Sequence, residues 1–209
     1  MTDERQGTTS SPAAGPAPVL PEIPAETTLL AARIRELVEA GVFTDVATED
    51  LRAAADHVAA ATELLRERTR EKPLLLSYVD GKQVSVHNPV EGPGNPLAPP
   101  MVGLEIDGSG ATSSSALLGA AYEGPPGRVH GGWVASLLDH AVGRAVAVAG
   151  HPAMTVSLTV DYRRGTPHGV PLTIKARFTG KEGRKVFATG EIVADGETTA
   201  EANAILVTY

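Results

Sequence analysis

The pattern of apolar positions is clearest over residues 132–149, where it predicts a long helix. Apolar residues recur at three- and four-residue steps, while the opposite face carries mainly Ala and Gly rather than charge. The recurring set is Val134, Leu137, Leu138, Ala141, Val142, Ala145, Val146 and Val148. A helix that is apolar on nearly every side is usually buried, so we expect other structure to wrap around this one.

Shorter patterns typical of strands lie on both sides of this helix. Apolar and polar residues alternate over 156–162 and again over 172–178. We predict strands over 102–106, 112–122, 154–163, 172–179, 184–194 and 198–208, with turns at 165–167, 180–183 and 195–196. The pattern is typical of an α+β fold, in which a curved antiparallel sheet, here over 101–209, wraps around one helix.

The N-terminal half has a different pattern. Residues 1–26 are rich in proline and show no periodicity, which predicts a disordered tail. Residues 27–72 predict a helical extension, with one helix from Thr27 or Thr28 to Gly41 and another from Thr48 to about Arg70. These helices cannot bury both faces alone, so we expect them to pack on the main domain or on a second subunit. Residues 73–100 are predicted to be a connecting loop rich in Pro and Gly, although loops of this length are often lids or binding elements.

Composition excludes several kinds of function. The net charge is −7 and the basic residues are scattered, which argues against a nucleic-acid partner. The chain has no cysteine, and its six histidines lack metal-ligand spacing, so we expect no metal site. Charged residues near the middle of the long helix argue against a membrane span, and residues 1–26 do not resemble a secretory signal. We therefore expect a soluble cytoplasmic protein.

Three residues of the long helix and its approach are candidates for chemistry. Asp139 lies within the apolar pattern, and burying an unpaired carboxylate costs on the order of several kcal/mol, which argues for a function. Gly131 lies at the start of the helix, where a free backbone N–H and the helix dipole can stabilise an oxyanion. His130 is nine positions from Asp139 and therefore on the opposite side of the helix, so we expect it to anchor the turn.

The sequence His130-Gly131-Gly132, followed by Asp139, resembles the hotdog-fold acyl-CoA thioesterases. Within them it is most similar to the branch that contains thioesterase superfamily member 4. The approach over 122–127, the strand over 154–163 and the turn over 183–185 resemble that branch in the same order. The resemblance covers residues 95–209, a little over half of the chain.

Membership of this family implies hydrolysis of an acyl-CoA, with coenzyme A as part of the substrate and no separate cofactor. Asp139 is then the general base or the nucleophile, two roles that the sequence leaves open, and Gly131 is the oxyanion donor. Thr155 corresponds to the hydroxyl residue that helps to hold the attacking water. The further candidates for substrate binding are Gly132, Glu123, Arg163, Arg184 and Lys185, of which the three cations are weak candidates for contacts with the phosphates of coenzyme A.

The spacing of Gly131 and Asp139 predicts an active site shared between two subunits. Eight helical positions separate the two residues by ~12 Å, too far for both to act on one carbonyl group. A two-fold axis that sets two such helices antiparallel would bring Gly131 of one chain opposite Asp139 of the other. We therefore expect a homodimer, and the resemblance implies that dimers often join into tetramers.

Two departures from the family and two alternatives bear on this interpretation. Smaller members carry Asn at the position of Gly124, and their usual Arg-Pro is interrupted here by Arg164-Gly165.

A serine esterase is excluded because no G-x-S-x-G motif follows the HGG sequence. A hotdog protein that binds acyl-CoA without hydrolysing it, or serves as a scaffold, remains the alternative.

Overall fold

The computed structural model describes residues 21–79, 82–107 and 111–209 of the chain. Two helices come first, α1 (Ala25–Phe43) and α2 (Thr48–Arg66), and a short hairpin of β1 (Ser77–Val79) and β2 (Lys82–Val84) follows them. The main domain contains β3 (Met101–Ile106), β4 (Thr112–Leu117), a 3-10 turn (Ala120–Tyr122), α3 (Gly131–Val148), β5 (Ala153–Tyr162), β6 (Pro171–Glu182), β7 (Lys185–Ala194) and β8 (Glu197–Thr208).

Six strands form one antiparallel sheet in the order β3-β4-β6-β7-β8-β5. The turn between β7 and β8 places Asp195 at φ 52° and Gly196 at φ 80°. Two consecutive left-handed residues match the twist of a tight hairpin, which explains why Asp-Gly occurs here. The strand β5 follows α3 in the chain. It is the last strand in this order and pairs with β8, so it forms one edge of the sheet.

The core lies between one face of this sheet and α3. Alternate residues of β6, β7 and β8 point toward the helix and are buried, as the period of a strand requires. Seven residues of α3 oppose them: Val134, Leu137, Leu138, Ala141, Val142, Ala145 and Val146. At Gly190 an added Cβ would lie 3.3 Å from both Leu138 and Val142, so the sheet and helix are in close contact there. The predicted packing of a curved sheet against one long helix is therefore confirmed.

The expectation that other structure wraps around α3 holds for one side of the helix in the single chain. The sheet covers only the face that carries the large aliphatic residues. Gly132 and Asp139 are exposed on the opposite face, and an added Cβ at Gly143 would meet no atom of the described residues within 4 Å. We call this surface, formed by Gly132, Ser136, Asp139 and Gly143, the outer face of α3. Most residues of the outer face are small, so the sequence pattern looks apolar there although this face is not part of the core.

Several element boundaries differ from the predictions. The strand predicted over 112–122 ends at Leu117, because Ala120–Tyr122 forms a 3-10 turn held by α1. The carboxylate of Glu39 accepts hydrogen bonds from the N–H groups of Ala120 and Ala121 at 3.1 and 3.2 Å. The turn predicted from residue 180 begins later, because β6 continues through a bulge between Phe178 and Gly180. The segment predicted as a connecting loop contains the hairpin of β1 and β2.

The N-terminal predictions hold only in part. Residues 1–20 of the predicted tail lie outside the described residues, but Pro21 accepts a hydrogen bond from the hydroxyl group of Ser77. The first helix begins at Ala25, before the predicted caps at Thr27 and Thr28. It packs on the main domain through Glu39, whereas α2 ends at Arg66 and buries none of its residues against the rest of the described chain. Over the described ranges, no helix combines the length and apolar character that crossing a membrane requires.

Candidate functional site

The approach to α3 is a compact turn. Tyr122 O accepts a hydrogen bond from the N–H of His130 at 2.8 Å, and Gly124 N–H donates to Arg128 O at 2.9 Å. An added Cβ at Gly124 would lie only 2.8 Å from the Cα of His130. Backbone therefore occupies the space that any side chain at position 124 would need. The turn therefore has no room for a side chain at Gly124, where the resemblance places the family's Asn.

His130 caps the start of α3. Its Nδ1 accepts a hydrogen bond from the N–H of Gly132 at 3.0 Å, and its carbonyl oxygen accepts from Trp133 and Val134. A side-chain acceptor at this position satisfies one of the free N–H groups of the first turn. The N–H of Gly132 is consequently occupied within the chain, which argues against Gly132 as a donor to substrate.

Gly131 lies between these two capping interactions as the first residue of α3. Its N–H has no hydrogen-bond partner among the described residues, and it is located where the helix dipole is positive. Its carbonyl oxygen accepts a hydrogen bond from the hydroxyl group of Tyr162 at 2.9 Å. The ring of Tyr162 lies 3.5 Å from an added Cβ at Gly131. Gly131 thus combines an unpaired N–H with a fixed carbonyl group.

Asp139 is exposed on the outer face of α3, and its carboxylate has no hydrogen-bond or ion-pair partner among the described residues. The expectation that it is buried is therefore wrong for the single chain, because a step of ~100° from Leu138 turns its side chain away from the sheet. The helix keeps Gly131 and Asp139 apart, as the spacing predicts. One chain does not bring the unpaired N–H and the carboxylate together.

A cluster of three charged or titratable side chains lies beside Asp139. Glu91, from the Pro/Gly-rich segment, contacts the guanidinium group of Arg144, and its Oε2 lies 3.0 Å from His140 Nε2. That nitrogen is buried, and its orientation toward the carboxylate does not satisfy hydrogen-bond geometry. Burial lowers the pKa of His140, and the nearby charge of Asp139 partly opposes this. Burial also lowers the pKa of Arg144.

This cluster attaches the segment over 87–100 to α3, next to the candidate carboxylate. The segment is therefore packed against the helix rather than being a simple connector. No sequence signal pointed to the cluster, because Glu91 is separated from His140 by 49 positions and belongs to no motif. Tyr162 was likewise not predicted to contact Gly131, since alternation placed it only on a strand.

The remaining candidates are divided between the two ends of the sheet. Tyr162 ends β5 next to Gly131, whereas Thr155 lies near the start of the same strand. Lys185 pairs with Val207, which also pairs with Met154, so Arg184 and Lys185 lie at the Thr155 end. A strand of ten residues spans ~30 Å. Within one chain, Arg184 and Lys185 therefore do not meet Gly131.

Glu123 and Arg163 are already paired within the chain. The carboxylate of Glu123 accepts a hydrogen bond from Gly127 N–H at 2.5 Å and lies 3.3 Å from His168 Nε2. Arg163 donates to Glu201 at 2.6 Å, and this hydrogen bond and charge raise the pKa of the guanidinium group. Both side chains therefore stabilise local structure, and contact with a substrate would have to compete with these partners.

The other cavity near the sheet lies away from α3. A cavity of about 490 Å³ lies where Arg177, Glu191 and Glu201 point away from α3, so the sheet separates it from Asp139. Within the described ranges, no three His, Asp or Glu side chains are grouped to hold a metal ion. The start of α3 and its outer face remain the candidate active site.

The sheet packed on one long helix, with the HGG turn at the helix start, defines the hotdog fold. The sequence profile of the thioesterase superfamily matches residues 126–201. A crystal structure of a thioesterase superfamily protein is 34% identical, covers 90% of this chain and 97% of its own, and superposes with a TM-score of 0.79. The chain therefore belongs to the thioesterase superfamily, and the resemblance found in the sequence is confirmed.

Two named relatives match part of the chain. The acyl-coenzyme A thioesterase THEM4 of Xenopus laevis is 36% identical over 91 residues, which cover 43% of this chain and 41% of the relative. The protein of the same name from Mus musculus is 32% identical over 91 residues, which cover 43% of this chain and 39% of the relative. The matched segments thus span about two fifths of these relatives.

Proposed function

We propose that the protein hydrolyses an acyl-CoA thioester to a free acid and coenzyme A. The observation that carries the proposal is the pair of unsatisfied groups on α3, the exposed carboxylate of Asp139 and the unpaired N–H of Gly131. A general base or nucleophile and an oxyanion donor are what thioester hydrolysis needs. The names of the two relatives support acyl-CoA as the substrate class.

In the general-base route, Asp139 takes a proton from a water molecule that Thr155 helps to hold. The water oxygen bonds to the thioester carbon, and the resulting oxyanion accepts a hydrogen bond from Gly131 N–H. The C–S bond then breaks and the leaving sulfur takes up the proton, which yields the acid and the coenzyme A thiol. In the nucleophile route, the carboxylate itself displaces the thiolate, and water then hydrolyses the mixed anhydride.

We further propose that each site is formed by two subunits, with Gly131 from one and Asp139 from the other. The division of the candidates between the two ends of the sheet supports this, because an antiparallel partner brings opposite ends together. Thr155, Arg184 and Lys185 of one chain would then approach Gly131 of its partner. A homodimer is the minimal unit, and a dimer of dimers is consistent with it. The cytoplasmic location remains a prediction from the sequence.

The test is release of free thiol from a panel of acyl-CoAs that differ in chain length and in aromatic character. Wild-type protein should release thiol, and Asp139→Asn should reduce kcat by about 10²- to 10⁴-fold. Because the side chain is exposed and unpaired, this variant should keep the wild-type Tm. Retention of bound acyl-CoA without hydrolysis by the wild type would instead establish the non-catalytic binding protein.

A matched pair of variants at Gly131 tests the oxyanion donor. Gly131→Ala keeps the N–H, and its Cβ makes ordinary contacts at 3.5 Å, so it should stay active. Gly131→Pro removes the N–H at the first helical position, where proline is well tolerated, and His130 already has an extended conformation with ψ 134°. It should lose about 10²- to 10³-fold in kcat. Equal activity of the two variants would contradict the role of this N–H.

A further inference from the structure

The proposed reaction needs the N–H of Gly131 to point in a fixed direction. Glycine, however, has the widest backbone freedom of all residues. Without a side chain, a glycine accepts a wide range of φ and ψ, and the first turn of a helix lacks the full set of helical hydrogen bonds. An oxyanion donor contributes most when its direction is set before the substrate binds. The surroundings of Gly131 therefore have to supply the rigidity that the residue lacks.

The peptide unit before Gly131 contains the Gly131 N–H and is held by the helix only at its carbonyl end. Its carbonyl oxygen, that of His130, accepts hydrogen bonds from Trp133 N–H at 2.9 Å and from Val134 N–H at 3.3 Å. The N–H of His130 donates in turn to Tyr122 O at 2.8 Å. The residue that precedes Gly131 is thus tied to both the helix and the approach turn.

The peptide unit after Gly131 is held by two side chains that lie outside the regular helix. The hydroxyl group of Tyr162 donates to Gly131 O at 2.9 Å, and His130 Nδ1 accepts from Gly132 N–H at 3.0 Å. These are the C=O and the N–H of the same peptide unit, so it is held at both ends. The N–H of Gly131 belongs to the preceding planar peptide unit, and the held unit on the other side fixes φ and ψ of Gly131, which limits rotation of that N–H.

We propose that Tyr162 is a positioning residue, which acts together with the cap of His130 to hold the Gly131–Gly132 peptide and thereby limits movement of the N–H of Gly131. This inference rests on the proposed function for its effect on the rate. Tyr162 comes from the edge strand β5 and its side chain is 54% exposed, so burial in the core does not explain its contact with Gly131. The ring covers the Cα of Gly131, and the hydroxyl group supplies the one directional contact.

The test removes only the hydroxyl group. Tyr162→Phe keeps the ring over Gly131 and should lower kcat by between about 10- and 100-fold, because a small misplacement of a reacting group has effects of that size. KM and Tm should remain near the wild-type values. Tyr122→Phe is the matched control, since its hydroxyl group also donates to a backbone carbonyl, that of Leu97 at 3.3 Å. The control should retain wild-type kcat.

A second measurement is independent of turnover. The backbone order parameter of the Gly131 N–H, from nuclear magnetic relaxation of the substrate-free protein, should be near 0.85 in wild type and fall toward 0.6 in Tyr162→Phe. His130→Ala should give a similar fall, whereas His130→Asn should restore the order because Asn also caps helices. The order parameter in Tyr122→Phe should not change.

The two measurements separate failure of this inference from failure of the proposed function. If wild-type protein releases no thiol from any acyl-CoA, the proposed activity is wrong, and the order parameter of Gly131 still tests the restraint. An unchanged order parameter in Tyr162→Phe would overturn the positioning role. So would an unchanged kcat in an active wild-type background, or an equal loss in Tyr122→Phe.

Discussion

The two faces of α3 follow different physical rules. The face toward the sheet is filled by Leu137, Leu138 and other aliphatic side chains that are buried within one chain. The outer face carries Gly132, Ser136 and Gly143 around Asp139, and the same chain leaves it uncovered. The first face stabilises the subunit, whereas the second offers short side chains and one unpaired carboxylate. The residues that stabilise the subunit and the residues proposed for the chemistry therefore lie on opposite faces of the same helix.

Subunit complementation tests the proposal for the outer face and has the largest expected effect. Asp139→Asn and Gly131→Pro homodimers should each be nearly inactive. Mixing them should form heterodimers in which one site carries both substitutions and the other carries neither. Thiol release per heterodimer should then return toward half of the wild-type value. Each unmixed variant, treated identically, is the control.

This experiment requires that subunits exchange, which differently tagged subunits can show by co-purification. If both variants fold and exchange but no activity returns, the site is not shared between subunits.

A substitution on the sheet-facing side should act on stability instead. Leu138→Ala removes a fully buried side chain and should reduce the free energy of unfolding by about 2–5 kcal/mol. Ser136→Ala, two positions away on the outer face, loses only a hydrogen bond to Gly132 O and should change stability by less than about 0.5 kcal/mol. Urea denaturation measures both. Similar losses in the two variants would mean that both faces are packed.

Two glycines give a finer comparison of the faces. Gly190→Ala places a Cβ at 3.3 Å from Leu138 and Val142 and should destabilise by about 1–3 kcal/mol through overpacking. Gly143→Ala meets no atom within 4 Å in the part of the chain that the structure describes, and it should stabilise α3 by up to about 1 kcal/mol through higher helix propensity. Thermal unfolding should move Tm in opposite directions. A lower Tm for Gly143→Ala would show that a second subunit covers that position.

The smallest expected effect is on the pH dependence of stability. It comes from His140, which lies on α3 between the sheet-facing side and the outer face. Because burial lowers the pKa of His140 below its ordinary value near 6.5, the unfolded chain binds a proton there before the folded chain does. Stability should therefore be retained above about pH 6.5 and be lost as pH falls through that value. Relative to His140→Gln, wild type should lose more stability between pH 7.5 and 5.5. Parallel pH curves in urea denaturation would indicate that Glu91 and Asp139 offset the effect of burial.

The sequence by itself determined the elements and the turn chemistry. The apolar period of α3, the alternation in β5 and β6 and the Asp195-Gly196 turn all depend on residues that are neighbours in the chain, so local patterns predict them. The spacing of Gly131 and Asp139 also followed from helix geometry alone. The same local rules misplaced the start of α1 and the end of β4, where Glu39 fixes the turn from a distance.

Only the tertiary structure decided which of those residues are exposed, paired or in close contact. It turned Asp139 away from the core, brought Glu91 to His140 and Arg144, and closed the space at Gly124 with the backbone of His130. It also placed the hydroxyl group of Tyr162 on Gly131, which is 31 positions away in the chain. Such contacts depend on how the sheet curves around α3, and no local spacing encodes that curvature.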